Sequence, residues 1–404
     1  MTLSYDDALA RDAADPLGGY RDAFHRHADP VAYLDGNSLG RPPKATLDRV
    51  TRAIDRDWGE RLIRGWEEGW SERAETLGNL LASACLGAAP GQTVVTDSTS
   101  VNLYKVVYAA CDLQGGRDEI VIDDGNFPTD RYLVESVARA RGMYVRWLSP
   151  DPIAGVTHRD LSAALSPQTA VVVLSHVDYR SGAIADLPGL TRLAHDAGAL
   201  VVWDVCHSAG VLPIDLDRFG VDFAVGCTYK YLNAGPGAPA FLYVAARLLP
   251  DVRQPIPGWW SARDVFAMAD TYEPALDARR MLSGSPNILG MIGVEEGVRL
   301  VERAGIDAIR AKAADLTGMC VDLVDAWLAP RGFAVVSPRD AAARGGHVSI
   351  QGPGARKLRD KMVAAGVIPD FRNPDTIRLG LSPLSTSYAE LWTAMDTIRS
   401  IVGR

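Results

Sequence analysis

The sequence has few cysteines and no pattern that would pair them. Five cysteines are scattered over 404 residues, with no CxxC spacing and an odd total. Disulfide frameworks and zinc sites both need cysteines at short, regular spacing, so neither is predicted. This usage is typical of a reducing compartment. We therefore expect a cytoplasmic protein without a metal site.

Long apolar runs and a basic surface are also missing. The apolar runs have the length of strands rather than the roughly eighteen residues of a membrane span, and the acidic stretch 1–16 lacks the apolar core of a secretory signal. The formal net charge of −8 argues against nucleic acid or an anionic membrane as a partner. An anionic cofactor is still compatible, because a single pocket can be positive in an acidic protein.

Between residues 90 and 245, short β-branched runs alternate with amphipathic stretches. The predicted strands are 119–122, 170–174, 200–203, 223–226 and 240–244, and the predicted helices are 100–111, 129–140 and 187–197. Such alternation builds an α/β fold, with a mostly parallel sheet and helices on both faces. The last two predicted strands are too close in sequence for a helical crossover, so one of that pair should run antiparallel.

The two ends of the chain have a different pattern, which predicts a second and smaller α+β unit. The N-terminal end has a turn-rich block and then a helical block, and the C-terminal end has a long helix, two short strands and a final helix. We expect the N-terminal segment to contribute to this smaller domain. The predicted segments are 1–75 for the N-terminal part, 76–305 for the large domain and 306–404 for the C-terminal part of the small domain.

Two neighbouring strand ends carry residues suited to chemistry. Asp204 ends one apolar run, in VVWDVCHSA, and Lys230 follows the next, in VGCTYKYLNAGPGAP. Ligands of open α/β sheets bind at such carboxyl ends. Alone, Asp204 is typical of a salt-bridge partner and Lys230 of a surface lysine. Together they are the pair that pyridoxal-5′-phosphate chemistry needs, since the lysine forms an imine with the aldehyde and the aspartate keeps the pyridine nitrogen protonated.

A third segment, 96–103, places hydroxyl residues before a predicted helix. Ser98 or Ser100 would cap that helix. The same amides and hydroxyls would also bind a phosphate group. Both interpretations fit the residues.

The chain resembles the kynureninase family, which comprises fold-type-I pyridoxal-phosphate enzymes of the class-V aminotransferase group. The matching motifs are YLDGNSLGRPP (33–43), WGERLIRGW (58–66), DSTSVNLYK (97–105), NFPTD (126–130), SHVDYRSG (175–182), WDVCHSAG (203–210), VDFAVGCTYKYLNAGPGAPAF (221–241), PGWW (257–260) and IRLGLSPL (377–384). The long central block is specific. The resemblance implies a fold-type-I transferase-like architecture with a large domain built on a seven-stranded sheet, and a homodimer with shared active sites.

The resemblance also implies roles for individual residues. Lys230 would hold the cofactor as a Schiff base, Asp204 would pair with the pyridinium nitrogen, and Tyr229 would lie beside the phosphate as a candidate proton donor. The further cofactor-binding residues would be Thr99, Ser100, Phe127 (stacked on the ring), Asp130, Ser175, His207, Trp259 and Asn287. Arg378 would bind the α-carboxylate of the substrate. Asn37, Ser38 and Asn287 are further candidate substrate contacts, and Trp58 is a candidate to line an aromatic substrate pocket, with packing as the alternative. Trp259 and Asn287 would reach the site from the partner subunit.

The implied activity is hydrolysis of an amino-acid substrate. L-kynurenine, or 3-hydroxy-L-kynurenine, would give L-alanine and anthranilate or 3-hydroxyanthranilate. The alternatives are an aminotransferase or cysteine desulfurase of the same class, a hydrolase of a substituted kynurenine, and a non-catalytic scaffold. A desulfurase needs a nucleophilic cysteine on a mobile loop after the lysine, and Cys320 lies instead in a helical pattern.

Overall fold

The structure is a computed structural model that describes residues 3–26 and 31–403. Its α-helices are α1 (Tyr5–Ala14), α2 (Lys44–Arg52), α3 (Arg73–Leu81), α4 (Thr99–Leu113), α5 (Pro128–Arg141), α6 (His158–Ala164), α7 (Leu187–Asp196), α8 (Ile288–Ala304), α9 (Ile306–Leu323), α10 (Ala355–Ala364) and α11 (Tyr388–Val402). Its strands are β1 (Ala32–Leu34), β2 (Thr93–Thr96), β3 (Glu119–Asp123), β4 (Tyr144–Leu148), β5 (Thr169–Ser175), β6 (Leu200–Asp204), β7 (Phe223–Gly226), β8 (Ala240–Val244), β9 (Ala334–Val335), β10 (His347–Gln351), β11 (Val367–Arg372) and β12 (Thr376–Gly380).

A seven-stranded sheet forms the centre of the larger part of the molecule. Its order is β2-β8-β7-β6-β5-β3-β4. The pairs from β7 to β4 are all parallel, and β8 runs antiparallel to both of its neighbours. The predicted α/β class is confirmed, as is the antiparallel pairing within β7 and β8.

The central strands are buried because their sequences are apolar on both faces. In β5, the run TAVVVL is buried in full and only Ser175 at its end is partly exposed. Burial on both faces requires helices above and below, as in doubly covered parallel sheets. Ser98 caps α4 by accepting from Val101 N, and Pro128 occupies the first turn of α5, where its missing N–H costs nothing. The three helices predicted between strands are thereby confirmed.

Two strands of this sheet were not predicted. β2 (TVVT) has only two apolar residues between two threonines, which gives a weak strand signal. β4 lies at the sheet edge, where only Leu148 is buried and where Arg146 interrupts the apolar pattern. Edge strands carry charge because they face water, and this weakens the sequence signal.

A second sheet joins the two ends of the chain. Its order is β1-β11-β12-β10-β9, with β1 parallel to β11 and the other pairs antiparallel. The apolar core on this sheet combines Ala8 and Leu34 with residues from 316 onwards. The larger core also includes Leu17, Phe24 and Ile309. The domain boundaries at 75 and 305 remain predictions, because residues beyond both of them contribute to the larger core.

Among the described helices, none has the length and apolarity needed to cross a lipid bilayer.

Candidate active site

A cavity of about 180 Å³ lies at the carboxyl ends of the central strands. Ser175 ends β5 and Asp204 ends β6, and the two residues are paired in the parallel register. Lys230 enters from the turn that follows β7. Arg372 and Arg378 close the opposite side from the second sheet. The cavity thus lies between the two sheets, where ligands of α/β folds bind.

Most of the site residues predicted from the sequence line this one cavity. They are Asn37, Ser38, Thr99, Ser100, Phe127, Asp130, Ser175, Asp204, His207, Tyr229, Lys230 and Arg378. The lining also includes residues that the sequence reasoning missed, namely Thr129, Val177, Tyr179, Cys206 and Arg372. Four of these five lie close in sequence to a predicted site residue: Thr129 and Cys206 are adjacent to one, and Val177 and Tyr179 follow Ser175 by two and four positions. Proximity in the chain was therefore an available signal for them. Arg372 had no such signal.

Lys230 faces a buried histidine. Its Nζ atom lies 3.3 Å from Nε2 and 3.5 Å from Nδ1 of His207. Burial and the nearby charges of Lys230 and Arg378 push the pKa of His207 well below its ordinary value. His207 is therefore neutral near pH 7, and one ring nitrogen can accept a hydrogen bond from the lysine. Such an acceptor fixes the position of the amine.

Two carboxylates lie side by side at the end of β6. Asp204 Oδ1 accepts a hydrogen bond of 2.7 Å from the backbone N of Cys206, which fixes its orientation. Burial and the neighbouring Asp204 raise the pKa of Asp130 well above its ordinary value. Asp130 Oδ2 is buried and has no partner among the described residues. Such a pair suits a ligand that carries an N–H group.

An amide network holds the aromatic side of the cavity. Asn126 Oδ1 accepts from the backbone N of Phe127 at 2.7 Å and from Ser175 Oγ at 2.9 Å, and its Nδ2 donates to Asp123 at 2.9 Å. Phe127 also contacts Tyr179 edge to face, with ring centroids 5.3 Å apart. Phe127 is therefore a fixed aromatic surface that faces open space, as stacking on a flat ring requires.

The N-terminus of α4 supplies the polar end of the cavity. Thr99 and Ser100 occupy its first turn, where helix amides and the helix dipole favour an anion. Tyr229 lies on the same cavity. The neighbouring Cys227 and burial raise the pKa of Tyr229 above its ordinary value, so the phenol keeps its proton and can donate. Together these groups can bind a phosphate.

Arg378 is buried at the second-sheet side and is already bonded. Its Nε donates to Asp370 Oδ2 at 2.7 Å, its Nη2 donates to Ser38 Oγ at 3.1 Å, and its Nη1 donates to the Tyr179 carbonyl. Arg372 shares Asp370, with its Nε 2.9 Å from Oδ2, and is much more exposed. The site therefore has two guanidinium groups within reach of a carboxylate ligand.

The N-terminal turn is hydrogen-bonded to the loop that carries Lys230. Gly40 N donates to the Tyr229 carbonyl at 2.7 Å. A Cβ at Gly40 would lie 2.4 Å from the Lys230 carbonyl, so only glycine permits this approach. The turn brings Asn37 into the cavity, fully buried and with no partner for its side-chain amide among the described residues. An amide in this state is available to a ligand.

Three predicted site residues lie outside the cavity lined by their own chain. Trp58 ends the turn that follows α2 and is 54 % exposed. Trp259 packs against Trp260, with ring centroids 4.7 Å apart, and Asn287 caps α8 by accepting from Gly290 N. For Trp259 and Asn287 the expectation concerned a partner subunit, so a single chain leaves it a prediction. Trp58 also remains a prediction.

Comparison with known proteins decides the family. The family model described as aminotransferase class-V matches residues 74–361. A kynureninase from Pseudomonas fluorescens is 40 % identical over 99 % of this chain and 95 % of its own length. A kynureninase from Burkholderia pseudomallei (strain 1106a) is also 40 % identical, over 98 % of this chain and 95 % of its own length. The chain is a member of the kynureninase family.

Solved structures at lower identity share the fold of this kynureninase-family chain. A cysteine desulfurase from Thermococcus onnurineus NA1 superposes with a TM-score of 0.81 at 20 % identity, over 92 % of this chain and 94 % of its own. The desulfurase CsdA from Escherichia coli also gives 0.81, at 18 % identity, over 96 % of this chain and 98 % of its own. The predicted fold-type-I architecture is confirmed by these neighbours.

The kynureninase family depends on pyridoxal phosphate, and the cavity fits that group. Asp130 Oδ2 is an unpartnered buried oxygen beside Asp204, Phe127 presents a fixed aromatic surface, and the N-terminus of α4 presents a turn suited to an anion. Lys230 would hold the aldehyde, the Asp204–Asp130 pair the pyridine nitrogen, and Thr99, Ser100 and Tyr229 the phosphate. Within the described residues, no cluster of side chains is arranged to bind a metal.

Proposed function

We propose that the protein is a pyridoxal-phosphate-dependent hydrolase that cleaves L-kynurenine into anthranilate and L-alanine. The observation that supports this most is the convergence of Lys230, the Asp204–Asp130 pair and Arg378 on one cavity in a kynureninase-family chain. An amine, an acid pair and a guanidinium group are what the aldehyde, the ring nitrogen and the α-carboxylate require. 3-Hydroxy-L-kynurenine is a second candidate substrate, since it differs by one ring hydroxyl.

Bound pyridoxal phosphate supplies an electron sink for negative charge beside the amino carbon of the substrate. Lys230 is the base placed to remove and return a proton at that carbon, because its amine lies in the cavity and faces neutral His207. His207 cannot neutralise the amine by a counter-charge, and its own low pKa keeps it from competing for the proton. Its role is to position Nζ.

Arg378 and its neighbours position the substrate. The guanidinium can bind a carboxylate in the fork geometry that lysine lacks. Ser38 Oγ, 3.1 Å from Nη2, is the weakest of its present partners and the one a substrate carboxylate would most easily replace. Asn37 offers an unpartnered amide on the same side. These residues would fix the orientation of the amino acid rather than perform chemistry.

The test is product analysis with both kynurenines. The cofactor-loaded protein should release L-alanine with anthranilate or 3-hydroxyanthranilate. Release of neither aryl acid, by a protein that retains its cofactor absorbance, would remove the hydrolase proposal. Transfer of the amino group to a keto acid, or release of sulfur from cysteine, would identify one of the class-V alternatives instead. All five cysteines are buried, which disfavours a desulfurase with a mobile nucleophile.

We also propose that the chain forms a homodimer with shared active sites. Large apolar side chains are exposed in two segments that meet where Trp66 packs against Trp260, with ring centroids 4.9 Å apart. They include Trp58, Leu62 and Ile63 in one segment and Trp259 and Phe266 in the other. Contiguous exposed apolar surface is typical of an interface. Light scattering should give about twice the chain mass of 43.4 kDa. Ile63→Glu should lower the mass measured in solution towards that of one chain, whereas the control variant Tyr144→Glu, on the edge strand β4, should leave it unchanged. A wild-type protein with the mass of one chain would contradict the dimer.

The proposed reaction places the protein in tryptophan catabolism by the kynurenine pathway. Supply of 3-hydroxyanthranilate for NAD biosynthesis would follow if the hydroxylated substrate is accepted. The proposed location is the cytoplasm, which the cysteine usage supports.

A further inference from the structure

Two cysteines meet beneath the cavity. β6 and β7 run parallel with Asp204 opposite Val225, and Cys206 and Cys227 each lie two positions beyond that pair, just past the ends of the two strands. Cys227 N donates to Cys206 Sγ at 3.1 Å, and Cys227 Sγ lies 3.8 Å from the Cys206 carbonyl oxygen. The two strands that they follow are about 4.8 Å apart, and a disulfide spans roughly 4.4–6.8 Å between Cα atoms. The two thiols can therefore be joined with little backbone movement.

Only one of the two thiols meets the cavity. Cys206 lines it and is 7 % exposed, with Sγ 3.9 Å from Thr99 Oγ1, while Cys227 is 2 % exposed and lies behind it. A small oxidant in the cavity would thus reach Cys206 first. A cofactor that fills the cavity would cover it.

Cys227 alone of the two differs from the remaining cysteines in ionisation, because the hydrogen bond with Cys227 and burial raise the pKa of Cys206 well above the ordinary value. Burial raises the pKa of Cys85 and of Cys320 to about 12. Burial also opposes ionisation of Cys227, yet the hydrogen bond with Cys206 and the positive charge of Lys230 hold its pKa below the ordinary value. Thiolates are the reactive form of cysteine, so Cys227 is suited to attack an oxidised neighbour.

We propose that Cys206 and Cys227 are a redox-sensitive dithiol that hydrogen peroxide closes to a disulfide when the cofactor is absent and that bound cofactor protects. The Cys206 sulfur attacks one peroxide oxygen, the O–O bond breaks, and the thiol proton joins the departing hydroxide as water. The Cys227 sulfur then displaces the hydroxyl of the resulting sulfenic acid, which leaves as a second water. The two sulfurs lose two electrons and peroxide gains them.

The disulfide would act on the cofactor site. It joins the ends of β6 and β7 between Asp204 and Lys230 and draws the Cys206 sulfur towards Cys227, away from Thr99 at the phosphate end. The oxidised apoprotein is therefore expected to bind pyridoxal phosphate at least about tenfold more weakly than the reduced form. A thiol reductant should restore the affinity.

The first experiment compares the full-length protein with and without its cofactor. Each form is treated with hydrogen peroxide, alkylated, digested without reduction and analysed by mass spectrometry. A peptide that links Cys206 to Cys227 is expected in the cofactor-free form and not in the loaded form. Absence of this link in both forms, its equal formation in both, or oxidation of Cys206 to sulfinic acid alone would overturn the proposal.

Variants separate the pair from the other thiols. Cys227→Ser should abolish the link, and Cys206→Ser should do so as well; Cys320→Ala, in the second core, should leave it intact. Cofactor affinity, measured by absorbance titration before and after peroxide, should change in the wild type and in Cys320→Ala but not in Cys227→Ser. Equal losses in wild type and Cys227→Ser would overturn the link to the cofactor site. Neither readout requires kynurenine, so failure here is distinct from failure of the proposed hydrolase activity.

Discussion

The two sides of the cavity satisfy their polar groups to different degrees. On the cofactor wall, formed by Asp130, Ser175, Asp204 and Lys230, Asp130 keeps a buried oxygen without a described partner. Within the same part of the chain, the side-chain partner of Lys230 is the neutral His207. On the carboxylate wall, formed by Ser38, Arg372 and Arg378, the guanidinium of Arg378 is bonded to Asp370, Ser38 and a carbonyl. The first wall is ready for a ligand. On the second, the amide of Asn37 also has no partner among the described residues, but Arg378 must exchange a partner to bind a carboxylate.

This contrast has an energetic meaning. An unsatisfied buried group costs about 1–3 kcal/mol, so a ligand that pairs with Asp130 removes a cost the protein already bears. A ligand that takes Ser38 from Arg378 exchanges one hydrogen bond for another and gains mainly from charge. Changes on the cofactor wall should therefore affect cofactor retention, and changes on the carboxylate wall should affect the apparent substrate affinity.

Lys230→Ala should give the largest effect. Loss of the amine removes both the imine anchor and the proton carrier, so kcat/KM should fall by roughly 10³ or more. Steady-state kinetics and the absorbance of the bound cofactor measure the two losses. Lys361→Ala on α10, remote from the cavity, is the matched control. Retention of wild-type kcat/KM by the Lys230 variant would show that the cofactor wall was wrongly assigned to cofactor binding.

Arg378→Lys should weaken substrate binding more than turnover. Lysine keeps the charge but not the planar fork, and a charged hydrogen bond contributes about 1.5–3 kcal/mol. KM should rise by about tenfold to a hundredfold, with a smaller change in kcat. Arg372→Lys, at the more exposed guanidinium, should change KM less. A larger effect from Arg372 would assign the carboxylate to that residue instead.

Asp123→Asn should remove a pH dependence of stability. Burial and the neighbouring Asp178 raise the pKa of Asp123 from 3.8 to about 7. Because the folded state holds this proton more tightly than the unfolded state, the wild type loses stability as pH rises from near 4 to 7. Between pH 5 and 8 the loss attributable to Asp123 is about 2–3 kcal/mol.

The measurement is chemical unfolding of the wild type and the Asn variant at both pH values. The variant keeps a side-chain oxygen for Asn126, so the network that positions Phe127 is preserved. The variant should show a smaller loss of stability over this range. An equal slope in the two proteins would mean that Asp123 is ionised throughout, and that its burial is offset by partners other than Asn126.

Ser175→Ala should give the smallest effect. It removes one hydrogen bond of 2.9 Å to Asn126, which contributes about 1 kcal/mol. Cofactor affinity should fall by several-fold, and Asn126 would still be held by Asp123 and the Phe127 backbone. A cofactor titration measures this change. A loss as large as that of Lys230→Ala would mean that Ser175 contacts the cofactor in a way that the network alone does not explain.

The sequence identified the strand-end residues because local pattern and chemistry agree there. Asp204 and Lys230 follow apolar runs directly, so their position at the sheet edge needs only the strand assignment. Arg372 was missed because β11 contains Pro369 and reads poorly as a strand. The contact between Cys206 and Cys227 depends on the register of β6 against β7, which local sequence does not encode. The roles that the resemblance gives to Trp259 and Asn287 depend on a second chain and stay predictions, as does the substrate-pocket role of Trp58.

The pairing of β1 with β11 sets when this enzyme can first work. Ala32 is hydrogen-bonded in register with Val367, a separation of roughly 335 residues. At a synthesis rate of about 5–20 residues per second, the N-terminal strand leaves the ribosome roughly 20 to 70 seconds before its partner exists. Until β11 has been synthesised, the turn that carries Asn37 and Ser38 cannot be docked through β1. A nascent chain halted before β11 would contain the lysine and the acid pair but lack the strand that docks the N-terminal turn, so completion of translation governs the onset of activity.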